Sequence, residues 1–412
     1  MPIEQVFVKQ MLVKPMWIGK TCVKQHRVNM IVASMLLGAA SASLAAPDQA
    51  RLKPDRVTLT AGAQEYWDSN FARTADTDSE HYTHSYVALD VKQRVSKQDF
   101  SLVASGSRYD YAEREDLDAN FYEGQASWRS DWSQRIKTSV VWKRDAYLVD
   151  RLEFADKDIT ALENLQGQIT LIANNHISFA LGARQAEQTH SNDLREFLNF
   201  DEDELFAEST YTTANKSSLS LRLRDGERLY LQPLYTNPDG STGVLDFEYR
   251  QAELEGVWAL TRKTQLGFTA GRYKREGDIN EGTGTLALVD VAWAISDKLK
   301  LALSYSQNEP AIGETFDSPA DIRTSKLGLN WEPSAKWLFS MDASYSDLTY
   351  VARLDTPARD EQLTTISPLR LTYQFSDSLA IRMDSQWVDR ESPLLYRDYD
   401  YALASLGIRF TF

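Results

Sequence analysis

"SLGIRFTF", residues 405–412, sets Leu406, Ile408, Phe410 and Phe412 against Ser405, Gly407, Arg409 and Thr411. Side chains of an extended chain point alternately to opposite faces, so this octet has one apolar face and one polar face. The same alternation recurs upstream. "KLKLALSYS", residues 298–306, opposes Leu299, Leu301, Leu303 and Tyr305 to Lys300, Ala302, Ser304 and Ser306. "WLFSMDASYS", 337–346, sets Trp337, Phe339, Met341, Ala343 and Tyr345 against Ser340, Asp342, Ser344 and Ser346. A helix would repeat every 3.6 residues instead. From 55 onward the pattern predicts about 18 one-sided strands in this all-β chain.

Connections between the runs alternate short and long. Ser96–Lys97–Gln98, Asn174–Asn175, Ser296–Asp297 and Ser376–Asp377 are turn chemistry, whereas 68–81, 148–158, 190–201, 233–244 and 309–321 are longer. Short turns on one rim and long loops on the other are expected of a transmembrane antiparallel up-and-down β-barrel. Strand length separates this from a soluble sandwich. Soluble strands cluster near five or six residues, a tilted membrane strand needs about 9–11, and most of these runs meet the longer requirement. Trp128, Trp142, Trp258, Trp293, Trp331, Trp337 and Trp387 fall near run ends, where an interfacial girdle belongs.

The chain has 412 residues, and at 42% hydrophobic content a helical membrane bundle is excluded. Its longest apolar run, Met30 to about Ala40, is shorter than the roughly 20 residues of a spanning helix. Lys20, Lys24 and Arg27 precede it, and Ser43 and Ala45 follow at the spacing of a signal-peptidase site. Residues 1–45 are therefore expected to be a removed signal peptide, 46–54 a short periplasmic tail, and 55–412 an outer-membrane barrel. The single cysteine, Cys22, lies in the leader, so the mature chain is expected to hold no disulfide or thiolate metal site. A net charge of -14, more negative still without the basic leader, argues against nucleic acid as a partner.

No catalytic set is legible, and neither enzyme activity, cofactor nor metal is expected. His81 and His84 flank a strand entry. His190 beside Ser191 in "HSND" lacks an orienting carboxylate in sequence and is expected to sit in a solvated loop. "NFDEDE", 199–204, lacks calcium-loop spacing and is likewise expected to be a solvated outer loop, with "GTG", 282–284, a loop tip. The polar faces carry more information. Arg222, Arg224, Lys326, Asp342, Arg370, Arg382, Asp384 and Arg409 share the inward-facing parity and are candidate pore-lining residues of a polar lumen; the inward tyrosines, Tyr86 with Tyr111 and Tyr230, could stack on sugar rings.

The closing Ser405, Gly407, Phe410 and Phe412 resemble the C-terminal signal by which the barrel assembly machinery recognises Gram-negative outer-membrane proteins. "LEGVWALTRKTQLGFTAGRYKRE", "SLSLRLRDGERLY" and "SLGIRFTF" together resemble the putative beta-barrel porin 2 group, which includes EpsL-type proteins of exopolysaccharide operons. That resemblance implies a large barrel in outer-membrane lipid that passes a capsule or biofilm polysaccharide outward, with a periplasmic polysaccharide-export protein as partner. The alternative is a diffusion porin for small solutes; an outer-membrane hydrolase or a structural barrel with a filled lumen fits less well. No loop is obviously long enough to fold into the pore, which is the expectation that favours an open conduit.

Overall fold

A computed structural model describes residues 56–74, 78–236, 242–311, 320–352 and 357–412. The expected signal peptide and the tail at 46–54 lie outside the described residues. The strands are β1 (Arg56–Asp68), β2 (Glu80–Val95), β3 (Gln98–Tyr111), β4 (Ala119–Asp131), β5 (Ile136–Leu148), β6 (Ile159–Ile172) and β7 (Ile177–His190). They continue with β8 (Phe200–Thr212), β9 (Ser218–Tyr230), the two-residue strands β10 (Tyr235–Thr236) and β11 (Thr242–Gly243), β12 (Phe247–Ala259), β13 (Thr264–Glu276) and β14 (Gly282–Ala294). The last are β15 (Leu299–Asn308), β16 (Asp321–Ser334), β17 (Trp337–Tyr350), β18 (Arg359–Gln374), β19 (Leu379–Glu391) and β20 (Tyr399–Thr411).

Eighteen of these strands form one antiparallel sheet in which each pairs with its chain neighbours, and β10 and β11 make a separate hairpin. The sheet closes on itself. β1 pairs with β20 from Thr60 opposite Thr411 to Asp68 opposite Leu403, and Leu59 and Phe412 exchange backbone hydrogen bonds at 3.1 and 2.8 Å. Closure matters because hydrocarbon offers an unpaired amide no partner, so a spanning sheet must have no free edge. The closing octet thus completes the seam. Its Leu406, Ile408, Phe410 and Phe412 lie on the outer face, 48%, 47%, 37% and 69% exposed to what is lipid in the membrane.

Which face is the interior follows from geometry. Only on the concave side of a closed sheet do side chains two strands apart meet. Gln64 on β1 reaches Asp384 on β19 at 3.0 Å across β20, and Tyr249 on β12 reaches Glu202 and Glu204 on β8 across β9 at 3.0 and 2.7 Å. The ladder registers then carry this parity round the barrel. Two irregularities interrupt it: the register slips in β16 between Trp331 and Ser334, and in β18 at Pro368, between Ile366 and Leu369. Proline cannot donate to a ladder, and a bulge is one of the places where it is tolerated.

Three expectations for loops are corrected. Asp201 to Glu204 lie inside β8, where inward Glu202 and Glu204 are buried, and Gly282 and Gly284 lie in β14. Counter-charges on adjacent strands draw those acids into the wall. Outer loops also fold inward although none is long. Leu198 and Leu245, both 1% exposed, and Ala311 come from three connections and pack with the inward rings of Phe200, Tyr230 and Phe247. Across the mouth, Leu117 is sealed against Phe71 and Tyr111. Apolar rings at the tops of inward faces give short loops something to bury against, so loop length is a poor guide to where a loop lies.

Candidate functional site

The lumen wall carries two different kinds of charge. On β7, β8, β9 and β12 the ions are paired. Arg184 meets Glu202 at 2.9 Å and Glu204 at 3.4 Å, and Arg228 holds Glu202 at 2.5 Å. Arg224 bridges Glu204 at 3.5 Å and Glu253 at 3.1 Å, while Arg222 pairs with Glu208 and stands 3.4 Å from Glu255. Arg222 and Arg224 therefore face inward yet spend their charge on neighbours. Such a lattice braces the wall.

Half-way round, β16 to β20 carry the other six candidates. Arg370 contacts Asp342 at 3.1 Å and Asp384 at 3.0 Å, and Arg382 contacts Asp384 at 2.7 Å. Gln64 completes this knot by donating to Asp384 and, at 2.6 Å, to Ser405. Lys326 and Arg409 are exposed on the lumen face and make no ion pair among the described residues. Four cations against two carboxylates leave this wall positive inside a chain that is negative overall.

Beside Arg409 the wall has a built surface. Gly62 on β1 stands opposite Tyr86 on one side and Arg409 on the other. The Tyr86 ring lies over Gly62 so closely that a Cβ there would meet ring atoms at 2.7 Å. Only glycine leaves room for that ring to lie flat on the wall, with its other face towards the lumen. His84 stacks on Tyr86 at 5.6 Å and on Tyr109 at 4.3 Å between ring centres, and Tyr66 stacks on Tyr82 at 4.9 Å. The rings form a track from Phe71 and Tyr111 near the outer rim down to Tyr86. It ends in a pocket of about 370 Å³ lined by Gln64, Tyr86, Ser105, Glu123, Arg382 and Arg409 among others. Tyr86 and Arg409 were visible to sequence reasoning as separate inward residues. Gly62, the signal that would have joined them, has no mark of its own in an alternating pattern.

His190 and Ser191 are not in a solvated loop. His190 Nδ1 lies 2.7 Å from Asp158, and both side chains are buried. Ser191 Oγ donates to the carboxylate at 3.4 Å, while His190 Nε2 faces the Gln188 amide at 3.3 Å. The Thr160 hydroxyl also lies 3.2 Å from His190 Nδ1, on the same side of the ring as Asp158, and the partner of Nε2 is an amide, so the cluster ties the loops at 149–158 and 191–199 together. The Asn192 amide at 3.1 Å and Arg195 Nε at 3.1 Å complete the clasp. Burial raises the Asp158 pKa, but the hydrogen bond and charge of His190, the Asn192 amide and Arg195 outweigh it and hold it below the ordinary value. A depressed folded pKa contributes stability that is complete above the unfolded value and disappears as pH falls through the folded one. Amide hydrogen exchange in 192–198 is therefore expected to stay slow from pH 7 to about 4 and to accelerate only in stronger acid. Loss of protection already near pH 6 would be inconsistent with Asp158 as the holding group.

No three His, Cys, Asp or Glu side chains gather as metal ligands among the described residues. The sequence matches no protein-family model and no curated protein. Among solved structures it is similar to a BenF-like porin from Pseudomonas fluorescens Pf-5, with 10% identity, 88% of this chain and 100% of that chain covered, and a TM-score of 0.50. It is also similar to Pseudomonas aeruginosa OccK1 (OpdK), at 11% identity, 86% and 98% coverage and a TM-score of 0.48. For OprD of the same organism the values are 11%, 90%, 99% and 0.47. The closed sheet, its apolar exterior and the first of these likenesses define the class: a porin-type β-barrel of 18 antiparallel strands in the Gram-negative outer membrane.

Proposed function

We propose that this barrel is a diffusion channel for small polar solutes, which bind in passing through a ring contact on Tyr86 and an anionic contact on Arg409. The observation that carries the reading is the inward packing of the outer loops. Leu198, Leu234, Leu245 and Ala311 of three connections pack against the inner wall, as do Phe71 and Leu117 of two connections on the opposite side. A mouth narrowed in this way suits solutes more than a polymer. Loops rich in carboxylates also repel a polyanion, which brings many like charges past them together, more than they repel a single carboxylate. The porin likeness supports the same reading, which reverses the order expected from the sequence.

Liposome swelling tests it. Proteoliposomes are expected to swell with monosaccharides and small carboxylates and to lose response with oligosaccharides of increasing length. Equal swelling with long oligosaccharides would overturn the proposal and favour export of an exopolysaccharide, the second reading. Export draws on the resemblance to EpsL-type barrels and on the aromatic track, and it would need a periplasmic polysaccharide-export protein as partner.

A further inference from the structure

The two rims of the barrel have opposite charge. Among the described residues the connections at the loop end hold six Lys/Arg against sixteen Asp/Glu, whereas the eight tight turns hold seven Lys/Arg against two Asp. The seven are Lys97, Arg135, Lys216, Arg262, Lys263, Lys298 and Lys336, all exposed and spread over six of the eight turns. Charges at the strand ends nearby largely cancel one another: Arg94 with Asp99 at 3.6 Å, Lys137 with Asp131 at 3.5 Å and Lys300 with Glu332 at 3.5 Å. Lys298 and Lys263 also reach backbone carbonyls, of Pro333 at the end of β16 and of Ile295 in the adjoining turn. Lys97, Arg135, Lys216, Arg262 and Lys336 make no ion pair among the described residues.

Just above these turns the outer face carries Trp258, Trp293, Trp331 and Trp337, 57%, 44%, 45% and 38% exposed. Tryptophan settles at the headgroup level of a bilayer, so the cations stand at the phosphates of the periplasmic leaflet. We infer that the periplasmic rim is a binding collar for anionic phospholipid, selecting phosphatidylglycerol-type headgroups over zwitterionic ones. The placement favours lipid over a protein partner. A docked protein needs its charges gathered in one patch, while a lipid annulus meets the rim all the way round, and here the cations go round with it.

The tryptophans beside the collar report directly on the lipid next to them. With Trp67→Phe, Trp142→Phe and Trp387→Phe removing reporters far from the rim, the barrel is reconstituted in phosphatidylcholine vesicles containing brominated phosphatidylglycerol or brominated phosphatidylcholine. Tryptophan quenching then gives the relative affinity of the two lipids. The expected preference for the anionic lipid is about five-fold, the effect of one cation near a charged headgroup. It should fall towards unity in 1 M salt, where the screening length shrinks to about 3 Å. It should fall in the same way when Lys97, Arg135, Lys216, Arg262 and Lys336 are all replaced by Gln. The salt comparison uses the collar intact, so a variant that fails to insert does not decide the result. Equal quenching by both lipids at low salt would overturn the inference and assign the cations to a soluble acidic partner. A preference that survives both 1 M salt and the five substitutions would overturn it too.

Discussion

Glu361→Gln is expected to destabilise the barrel by about 3–5 kcal/mol, the cost of removing one partner from a buried ion cluster. Its carboxylate is fully buried among three guanidiniums. Arg359 Nε lies 2.7 Å and Arg397 Nε 2.8 Å from one oxygen, and Arg390 Nε lies 2.9 Å from the other. Tyr350 accepts from Arg390 at 3.0 Å and Arg397 at 3.2 Å through its hydroxyl, and Arg359 stacks over its ring at 3.8 Å. Glutamine keeps the shape but cannot neutralise the cations it leaves in a buried site. Because Arg397 belongs to the connection between β19 and β20, the loss should also free that loop. Denaturant unfolding of the folded barrel in micelles, followed by tryptophan fluorescence, measures the change. A shift below about 1 kcal/mol, the size expected of an exposed pair, would mean that the cluster holds nothing.

Arg409→Glu is expected to have the largest effect on permeation. The substitution changes the wall by two charges at a cation that makes no ion pair among the described residues and stands beside the Tyr86 platform. An interaction of about 1 kcal/mol between unit charges 4 Å apart in water corresponds to roughly a five-fold change in anion-over-cation preference. Reversal potentials of the reconstituted channel across a KCl gradient would show it. Block of the ionic current by benzoate or glucuronate should weaken in parallel, and Tyr86→Ala should weaken that block with little change in ion preference. An unchanged reversal potential at normal conductance would remove Arg409 from the permeation path. Arg222→Glu makes a poor probe of the same question. Its guanidinium is engaged by Glu208 and Glu255, so reversal sets three carboxylates together and damages the wall before it reports on the lumen.

Much of this was legible because a membrane barrel writes its geometry locally. Each strand must present apolar side chains to lipid at every second position, so "KLKLALSYS" and "SLGIRFTF" show their faces without knowledge of any partner strand. The candidate pore residues were placed on the inner face by parity alone. Parity does not say what stands beside them. Arg222 and Arg409 look alike in sequence, each an arginine between apolar neighbours. The register puts glutamates beside one and glycine beside the other. "NFDEDE" read as a polar loop for the same reason, since nothing nearby in sequence announces Arg184, Arg224 and Arg228. His190 ends β7 and Asp158 lies in the connection before β6, and only the pairing of β6 with β7 brings them together.

Sequence by itself determined that the chain alternates, about how many strands the barrel has, which face of each meets lipid, and that one rim is built of tight turns. These depend on period and local turn chemistry, which a strand carries alone. The tertiary structure decided that short loops fold into the mouth, that Glu361 is enclosed by three arginines, and that Tyr86 lies over Gly62 with Arg409 beside it. Those are pairings between residues on different strands or loops, and their energies exist only once ring closure has fixed the register.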